Sequence, residues 1–386
     1  MSTVGFFLLV LLLLIACAYS LFTIYAAWRF FRSGPPEATS LPPASLFKPL
    51  KGASEDLYDN LASFCRLDYP SYQLLCGVRD PRDPAVAVVE RLQRDFPSHD
   101  IVLIVKPDTI GSNPKVDTLH RLAAAATYDI FVISDGDVSV APSYLSAIIP
   151  PLTDARVGLV TCPYRGGAAT PFPALFESLI INTAFSPQVI VARLVEQATY
   201  AFGATMAVKR QCVDAIGGFP AIADYLADDY YLGHLVSKAG YDIQIVPHVV
   251  ETHPGVASIR ELLHHQLRWA RTQRNCRPSG YFGTVVTFGT VWGILSLVLF
   301  GASAWMSLLV YLTFVLRLLS VCVVSGIVLR SFLTLKALWL VPFADLFSFF
   351  IWGASLWGNT VQWGEDTFRV QRNGKMVRVG ERHGSN

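Results

Sequence analysis

The sequence has little net charge and no closely paired cysteines, and each of these absences excludes certain classes of protein. Its 31 Lys and Arg residues against 29 Asp and Glu give a formal net charge of +2. Without a dominant basic stripe, this balance gives no basis for nucleic-acid binding. The seven cysteines are scattered and odd in number, which argues against a disulfide framework or a zinc site. We therefore expect free thiols in a reducing compartment and no nucleic-acid partner.

Charged residues are also absent near the N-terminus, where none occurs from Val4 to Trp28. About 25 helical residues at ~1.5 Å each exceed a bilayer core of roughly 30 Å, so residues 1–32 are predicted to contain a transmembrane helix. A cleaved signal peptide is the alternative, but the run is long and no basic residue precedes it. Arg29 and Arg32 follow at once, which places the next segment in the cytoplasm. Residues 33–43, rich in proline, predict a stiff linker.

A second apolar block spans residues 281–360 and leaves room for about three further membrane spans. They are predicted near 283–302, 305–328 and 337–358. Arg317 and Asp345 fall inside this block and should face protein or water, since charge is costly in lipid. Four full spans would return the C-terminus to the outside, whereas the basic residues of the polar tail, 361–386, favour the cytoplasm. A re-entrant or interfacial segment would remove this conflict.

Between residues 44 and 280, short apolar runs alternate with amphipathic stretches, which is typical of an α/β domain with a mostly parallel sheet. The predicted strands are Ala44–Phe47, Tyr72–Val78, Ile101–Val105, Ile130–Ser134 and Val157–Thr161. Helical spacing of apolar residues predicts crossover helices after the second and third strands. Ligands of such sheets gather at the carboxyl ends of the strands, and Asp80 and Asp135 fall at such ends.

Asp135-Gly136-Asp137 directly follows an apolar strand run. Carboxylates one residue apart at the rim of a sheet are hard oxygen ligands, which a divalent cation can bridge to phosphates. The motif therefore indicates Mg²⁺ or Mn²⁺ held by Asp135 and Asp137, with a nucleotide diphosphate as substrate. A turn after a strand is the alternative, because Asp and Gly are favoured there.

Four features occur in order along the chain: Val78-Arg79-Asp80-Pro81, Asp135-Gly136-Asp137, Asp228-Asp229-Tyr230 and Gln266-Leu267-Arg268-Trp269. With Lys48-Pro49-Leu50-Lys51-Gly52 and Asn113-Pro114-Lys115, they resemble the membrane-bound inverting glycosyltransferases of family 2 type. The resemblance is closer to the ceramide glucosyltransferase family (family 21), including its bacterial members that glycosylate hopanoids. It covers nearly the whole chain and implies a GT-A-like nucleotide-diphospho-sugar transferase domain at 44–280, flanked by transmembrane α-helices.

The resemblance also implies a role for each motif. Asp229 matches the catalytic base, and Asp137 and Asp135 match the metal ligands. Residues expected to bind the nucleotide sugar are Asp80, Lys115, Asp135, Asp228, His265, Gln266, Arg268 and Trp269. Trp269 also offers an aromatic wall near the acceptor. The chain departs from its relatives at one position: they have Gln or Arg three residues before the Arg-Trp pair, where this sequence has His265.

Structural alternatives exist for several of these residues. Asp80 suits a helix cap, Asp228 and Asp229 suit the acidic start of a helix, and Lys115 suits an exposed surface. On the helix that carries the Arg-Trp pair, a basic face suits contact with solvent or lipid headgroups at least as well as it suits catalysis. That face comprises His264, Arg271 and Arg274.

The expected activity is metal-dependent, inverting transfer of a hexose from UDP-glucose or UDP-N-acetylglucosamine to a ceramide-like or hopanoid-like lipid. The site is expected to face the cytoplasm in a multi-pass membrane protein, in the bacterial inner membrane. The apolar stretch 172–201 suits a lipid acceptor entering from the bilayer, with a core helix as the alternative. A processive polysaccharide synthase is a rival, although such enzymes usually need more spans. A membrane transporter or scaffold, with Arg317 and Asp345 on its path, is a rival of another class.

Overall fold

The protein is described here by a computed structural model that covers residues 3–34, 40–107, 109–363, 366–371 and 373–379. The chain divides into two units. The sheet unit comprises 34–164, 196–255 and 366–386, and the helical unit comprises 1–33, 165–195 and 256–365. The predicted linker 33–43 and the predicted tail 361–386 lie partly outside the described residues.

In chain order, the strands are β1 (Ala44–Pro49), β2 (Tyr72–Val78), β3 (Ile101–Val105), β4 (Ile130–Ile133), β5 (Val138–Ser139), β6 (Val157–Thr161), β7 (Tyr164–Gly166), β8 (Met206–Lys209), β9 (Asp242–Ile245), β10 (Val250–Thr252), β11 (Thr360–Trp363), β12 (Asp366–Val370) and β13 (Met376–Arg378). The helices are α1 (Thr3–Arg32), α2 (Leu57–Phe64), α3 (Ala85–Asp95), α4 (Pro114–Ala125), α5 (Tyr144–Ile148), α6 (Phe172–Ile180), α7 (Ser186–Val195), α8 (Arg210–Ala215), α9 (Asp228–Lys238), α10 (Ile259–Cys276), α11 (Pro278–Gly283), α12 (Gly289–Phe300), α13 (Ala304–Val323), α14 (Phe332–Lys336) and α15 (Val341–Ser355). A π-helical turn, Ile181–Phe185, joins α6 to α7.

The main sheet has seven strands in the order β3-β2-β1-β4-β8-β6-β9. β1 runs parallel to β2 and β4, β2 to β3, and β6 to β9, whereas β8 is antiparallel to both of its neighbours. The predicted α/β fold with a mostly parallel sheet is therefore confirmed. The chain winds from β1 outward to β3 and then returns to the other side of β1 as β4. This reversal creates the kind of crevice in which open α/β sheets bind their ligands.

The strands that border this crevice are buried by helices, which explains their continuous apolar sequences. All four residues of β4 are buried, as are six of the seven residues of β2. β2, β3 and β6 have the predicted bounds, while β1 continues to Pro49 and β4 ends at Ile133. A Cβ atom at Gly77 would overlap Thr118 of α4, so β2 needs glycine there for the helix to pack closely.

The helical unit contains most of the apolar segments. Among the described residues, the helices long and apolar enough to cross a membrane are Thr3–Arg32, Phe172–Val195, Ala304–Val328 and Leu338–Ser355. Pro278–Thr287 and Gly289–Phe300 form a further candidate, bent by 54° at its break. These segments match the predicted spans, with one addition. Phe172–Val195 passes the same test, although its sequence suggested only a membrane-leaning or core helix.

Two charged residues within the helical unit, Arg317 and Asp345, form an ion pair. Arg317 Nη2 lies 2.7 Å from Asp345 Oδ1, which joins α13 to α15. Thr290 of α12 donates to Asp345 Oδ2 over 2.7 Å, and Arg317 Nη1 donates to the Thr183 carbonyl over 3.0 Å. The pair thus faces protein and has its hydrogen bonds satisfied there. These contacts give it a structural role, since both charges are used in holding helices together.

The C-terminal strands β12 and β13 form an antiparallel hairpin that belongs to the sheet unit. The Met376 N–H donates to the Asp224 carbonyl over 2.8 Å. The Tyr231 hydroxyl, on α9, donates to the Asn373 carbonyl over 2.9 Å. The hairpin is therefore anchored beside the start of α9.

Candidate active site

Asp135 and Asp137 follow β4 at the crevice, on the carboxyl side of the parallel strands. β8 runs antiparallel to β4 with Met206 opposite Ile133, so the loop that leads into β8 passes beside Asp135. A Cβ atom at Gly203, in that loop, would lie 2.9 Å from Asp135 Oδ2. Backbone can therefore approach the carboxylate this closely only because residue 203 has no side chain.

Lys115 joins two of the predicted motifs. Its Nζ atom lies 2.7 Å from Asp135 Oδ1 and 3.1 Å from Asp228 Oδ2. The lysine lies in the first turn of α4, which Asn113 caps by accepting from the backbone N–H groups of Lys115 and Val116. Pro114 occupies the first helical position, where a missing N–H costs nothing. The Asn-Pro-Lys sequence thus positions the ammonium group, and the surface alternative for Lys115 is wrong.

Asp228 and Asp229 open α9, as the helix-start interpretation expects. Asp228 is buried and Asp229 is half-buried. The Gly203 N–H donates to Asp229 Oδ2 over 2.8 Å, and the Tyr230 N–H donates to Asp229 Oδ1 over 2.7 Å. Asp135, Lys115, Asp228 and Asp229 therefore form one continuous polar cluster. Asp228 and Asp229 therefore both begin a helix and belong to this cluster, so the two interpretations do not exclude each other.

The cluster changes the acidity of its members. Burial and the neighbouring Asp228 carboxylate raise the pKa of Asp229 to about 6, although Lys115 acts to lower it. Burial also raises the pKa of Asp228, again opposed by Lys115. For Lys115 itself, burial alone would lower the pKa, but Asp135, Asp228 and Asp229 outweigh burial and raise it. The lysine is thus held as a cation, while Asp229 can gain or lose a proton near neutral pH.

Asp137 is held by strand pairing. β5 pairs with β10, Val138 lying opposite Thr252, and this register brings the Thr252 hydroxyl within 2.9 Å of Asp137 Oδ2. The His253 N–H donates to the Asp137 carbonyl over 2.8 Å, and Nε2 of its ring lies 3.1 Å from the Ser139 hydroxyl. Burial, followed by the charge of Asp135, raises the pKa of Asp137. Thr252 and His253 were not among the residues predicted from the sequence.

Lys48 lies at the carboxyl end of β1 and is fully buried. Its ammonium donates to the Asp135 carbonyl over 2.8 Å and lies 3.6 Å from the centre of the Phe64 ring. Burial lowers the pKa of Lys48 to about 7, opposed by the charges of Asp135 and Asp137. The Lys-Pro motif at the first strand therefore supports the backbone from which Asp135 projects.

Asp80 follows β2 at the same edge of the sheet, with β1 between β2 and β4. Its carboxylate accepts from the backbone and side chain of Arg82, at 2.9 and 3.2 Å. That hydrogen bonding, principally from the Arg82 side chain, lowers the pKa of the Asp80 carboxyl. Its side chain is 50% exposed, so it is open to a ligand. The capping alternative applies instead to Asp83, which accepts from the Ala85 N–H at the start of α3.

The Gln-Leu-Arg-Trp motif lies on α10 in the helical unit. Ser258 caps this helix by accepting from the Glu261 N–H, and Glu261 in turn accepts from Ala257. Gln266 is buried, whereas His265, Arg268 and Trp269 are partly exposed. The His265 and Trp269 rings, one helical turn apart, have centroids 4.4 Å from each other. His265 Nδ1 also lies 2.6 Å from Oε1 of Glu177, a contact that the sequence did not predict.

The basic residues further along α10 have a structural role. Arg271 donates to the Trp357 carbonyl over 2.9 Å, and Arg274 donates to the Gly358 carbonyl over 2.9 Å. Arg274 also donates to the Ser355 carbonyl, at the end of α15. Through the Ser355 carbonyl, Arg274 compensates an unpaired acceptor and the negative end of the dipole of α15. Both side chains are partly exposed, so contact with solvent or lipid headgroups stays an alternative for this face.

The described residues contain no group of three or more His, Cys, Asp or Glu side chains arranged to hold a metal ion. A cation that also contacts phosphates needs fewer protein ligands, since Mg²⁺ is commonly held by one or two carboxylates plus the substrate. The charges of the site are consistent with such a cation. Asp135 and Asp228 contact the ammonium of Lys115, which stays charged, and Asp229 adds a third carboxylate to this cluster. Asp135 and Asp137 therefore fit a divalent ion shared with a substrate.

Comparison with known proteins agrees with this arrangement. The profile of Glycosyl transferase family 21 matches residues 8–376. The chain belongs to this family. It is 27% identical to ceramide glucosyltransferase 3 of Caenorhabditis elegans over 300 residues, which cover 72% of the chain and 63% of the relative. Ceramide glucosyltransferase 1 of the same organism is 26% identical over 66% of the chain and 54% of the relative. The chain thus spans less than two thirds of the length of these relatives.

Family 21 membership confirms the resemblance seen in the sequence, and a solved structure supports the fold. A mannosyltransferase from Pyrobaculum calidifontis matches 90% of the chain and 99% of its own, with a TM-score of 0.50 and 16% identity. At this identity the similarity concerns the fold. The family 21 chain therefore has the fold of a nucleotide-sugar transferase.

Proposed function

We propose that the family 21 chain transfers a hexose from a UDP-sugar to a hydroxyl group of a membrane lipid, with inversion at the sugar carbon. The observation that carries this proposal is the cluster of Asp135, Lys115, Asp228 and Asp229. It combines an ammonium, the Asp135 carboxylate in contact with it and a carboxylate of raised pKa, at the edge of the sheet where such folds bind ligands. The named activities of the two nematode relatives support glycosyl transfer to a lipid.

Asp229 is the proposed catalytic base. A lipid hydroxyl is a weak nucleophile at neutral pH, so a carboxylate must take its proton as the oxygen attacks the sugar carbon. A pKa of about 6 leaves Asp229 mostly ionised at pH 7 and still a useful proton acceptor. The hydrogen bond from Gly203 fixes the direction of the carboxylate. A single base and a single displacement convert an α-linked donor into a β-glycoside.

Lys115 has two proposed tasks. It keeps Asp228 and Asp229 ionised in a half-buried site, and it lies close to Asp135, where the diphosphate is expected. Asp80 is proposed to accept from the uracil or ribose of the donor, and Arg268 to bind the diphosphate. Asp135 and Asp137 are proposed to hold Mg²⁺ or Mn²⁺, which supplies positive charge to the leaving UDP. The matching mannosyltransferase is described as a complex with GDP-mannose and Mn²⁺, in line with a metal-dependent donor site.

The proposed acceptor is ceramide-like or hopanoid-like, and the proposed donor is UDP-glucose or UDP-N-acetylglucosamine. Ceramide is favoured by the names of the relatives. We place His265, Gln266 and Trp269 near the sugar or the acceptor, because they share a helix with Arg268.

In the proposed topology the sheet unit lies on one side of the membrane, and the two chain segments that leave it, 165–195 and 256–365, return to that side. Residues 165–195 leave the sheet unit and return to it, so the helix Phe172–Val195 enters the membrane or its interface without crossing. Residues 256–365 also return, because the C-terminal hairpin bonds to Asp224 and α9. They therefore cross an even number of times. With α1, this gives three full spans and places the basic tail with the active site, in the cytoplasm.

The test uses full-length protein purified in detergent, with radiolabelled UDP-glucose or UDP-N-acetylglucosamine. The acceptors are ceramide and a hopanoid-containing bacterial lipid extract. We expect metal-dependent transfer of the sugar to one of the lipids, and slow release of UDP when no lipid acceptor is present. No labelled lipid with either donor, and no UDP release, would contradict the proposal.

A further inference from the structure

An apolar groove in the helical unit lies beside the helix that carries the Arg-Trp pair. Its volume is about 320 Å³. It is lined by Phe172 and Phe176 of α6, Ile259 and Leu262 of α10, and Trp339 and Phe343 near the start of α15. Two of its walls thus come from segments apolar enough to enter a membrane, Phe172–Val195 and Leu338–Ser355. Such a volume accommodates a stretch of hydrocarbon and not an entire lipid.

A polar pair lies one helical turn along from the groove. His265 follows Leu262 by three residues on α10, and Glu177 directly follows Phe176 on α6. His265 Nδ1 lies 2.6 Å from Glu177 Oε1, and the side chains are 26% and 0% exposed, respectively. Among the described residues, neither oxygen of the Glu177 carboxylate meets the geometry of a hydrogen bond, so its contact with His265 is that of an ion pair. Burying a carboxylate in an apolar helix costs free energy, so the presence of Glu177 at this position needs an explanation.

The contact with Glu177 sets the orientation of the His265 ring. Because Nδ1 lies against Glu177 Oε1, Nε2 is the ring nitrogen left to face a ligand. The partly exposed ring can then bond a hydroxyl group, which both donates and accepts. Bulk lipid tails offer no group that needs such a partner. A lipid with a hydroxyl group near its hydrocarbon chain does.

We propose that the groove holds a hydrocarbon chain of the acceptor lipid, and that His265, positioned by Glu177, hydrogen-bonds a hydroxyl of the same molecule. This inference rests on the proposed lipid glycosylation. It adds the groove and Glu177, which lie outside the family motifs, and it assigns His265 to the acceptor instead of the diphosphate. The groove orients the lipid along α10, toward the end that carries Arg268 and Trp269.

Photocrosslinking tests the groove without requiring turnover. Full-length protein in nanodiscs is irradiated with a diazirine-bearing ceramide or, in parallel, a diazirine-bearing phosphatidylcholine, and the modified peptides are sequenced. We expect the ceramide to label α6, α10 and α15 several-fold more than the phosphatidylcholine does, and Ile259→Trp to abolish the difference. The matched control is Leu308→Trp, a membrane-facing position of similar exposure away from the groove. Equal labelling by both lipids would show bulk lipid in the groove and overturn the proposal.

Kinetics test the polar pair. Loss of one hydrogen bond to the acceptor should raise its KM about tenfold in His265→Ala, with the KM for the sugar nucleotide unchanged. His265→Gln keeps a side chain able to bond a hydroxyl and should restore most of the affinity. Glu177→Gln, checked for folding by its melting temperature, should raise the acceptor KM by a smaller factor. A rise in the nucleotide KM alone would place His265 at the diphosphate and contradict the inference. Wild-type protein that glycosylates no lipid would instead refute the proposed function, whatever the crosslinks show.

Discussion

The backbone N–H of Gly203 donates a hydrogen bond to Oδ2 of Asp229 over 2.8 Å. The same glycine lies against Asp135, whose Oδ2 would be 2.9 Å from a Cβ atom at position 203. One residue without a side chain therefore touches both the proposed base and the proposed metal ligand. The loop before β8 fixes the spacing between them.

Gly203→Ala should reduce kcat by roughly 10–100-fold, because displacement of a reacting group by a fraction of an ångström has costs of this order. The added methyl group must push Asp135 or the loop aside. Gly255→Ala is the matched control, since a Cβ atom there meets nothing within 4 Å. Steady-state transfer rates measure the effect. Equal rates for the two variants would show that the loop does not position the carboxylates.

Transfer should lose activity as the pH falls through about 6, because Asp229 must be ionised to accept a proton and its pKa is raised to about 6. Above this value the rate should level off. Asp228 and Asp229 influence each other's ionisation, so the midpoint belongs to the pair. The measurement is a pH profile of kcat/KM for the acceptor. An acidic midpoint near the ordinary pKa of an exposed aspartate would argue against Asp229 as the base.

Lys115→Met should move this acidic limb to higher pH, because the lysine charge lowers the pKa of both Asp228 and Asp229. Transfer at neutral pH should fall accordingly. Lys238→Met, at the far end of α9 and exposed, serves as the control. A reduced rate with an unshifted profile would limit Lys115 to phosphate binding.

Much of the fold was predictable because its signals are local. β2, β3 and β6 could be bounded from their apolar runs, and Asn113-Pro114 marks the start of α4 in the sequence itself. The order of the motifs also identified the family. Contacts between distant residues were not predictable. Nothing in the sequence near Lys115 shows that it lies between Asp135 and Asp228, since the connection depends on how α4 and α9 pack.

Other residues were missed for the same physical reason. Thr252 reaches Asp137 only through the pairing of two very short strands, β5 and β10. Glu177 lies in an apolar helix whose sequence favours a membrane or core role. Its partner, His265, comes 88 residues later in the chain. The hydrogen bond from Arg271 to the carbonyl of Trp357 likewise cannot be inferred from local sequence.

The ion pair in the helical unit gives a prediction about stability. Arg317→Met leaves Asp345 buried without its cation and should cost about 3–5 kcal/mol of folding free energy. The double variant Arg317→Met, Asp345→Leu should recover most of this loss, because neither charge remains. Melting temperatures in detergent measure both. A double variant no more stable than the single one would point to a role for the arginine beyond the ion pair.

The proposed topology predicts that the C-terminal hairpin and the sheet unit react from the same side of the membrane. Arg91→Cys and Val377→Cys, both exposed positions, should react with an impermeant maleimide in inverted vesicles and resist it in intact cells. Val4→Cys should show the opposite pattern. The background replaces the partly exposed Cys17, Cys276 and Cys322 with serine. Labelling of Val377→Cys in intact cells would require an odd number of C-terminal spans.

The central claim is that Asp229 acts as the base in a site whose nucleotide is held by other residues. The decisive measurement compares Asp229→Asn with wild type for two properties, transfer of labelled sugar to lipid and equilibrium binding of UDP with Mn²⁺. We predict that transfer falls at least about 10³-fold, in line with the loss of a general base, while the Kd for UDP changes by less than about threefold. Transfer that survives, or UDP binding that is lost together with transfer, would contradict the account.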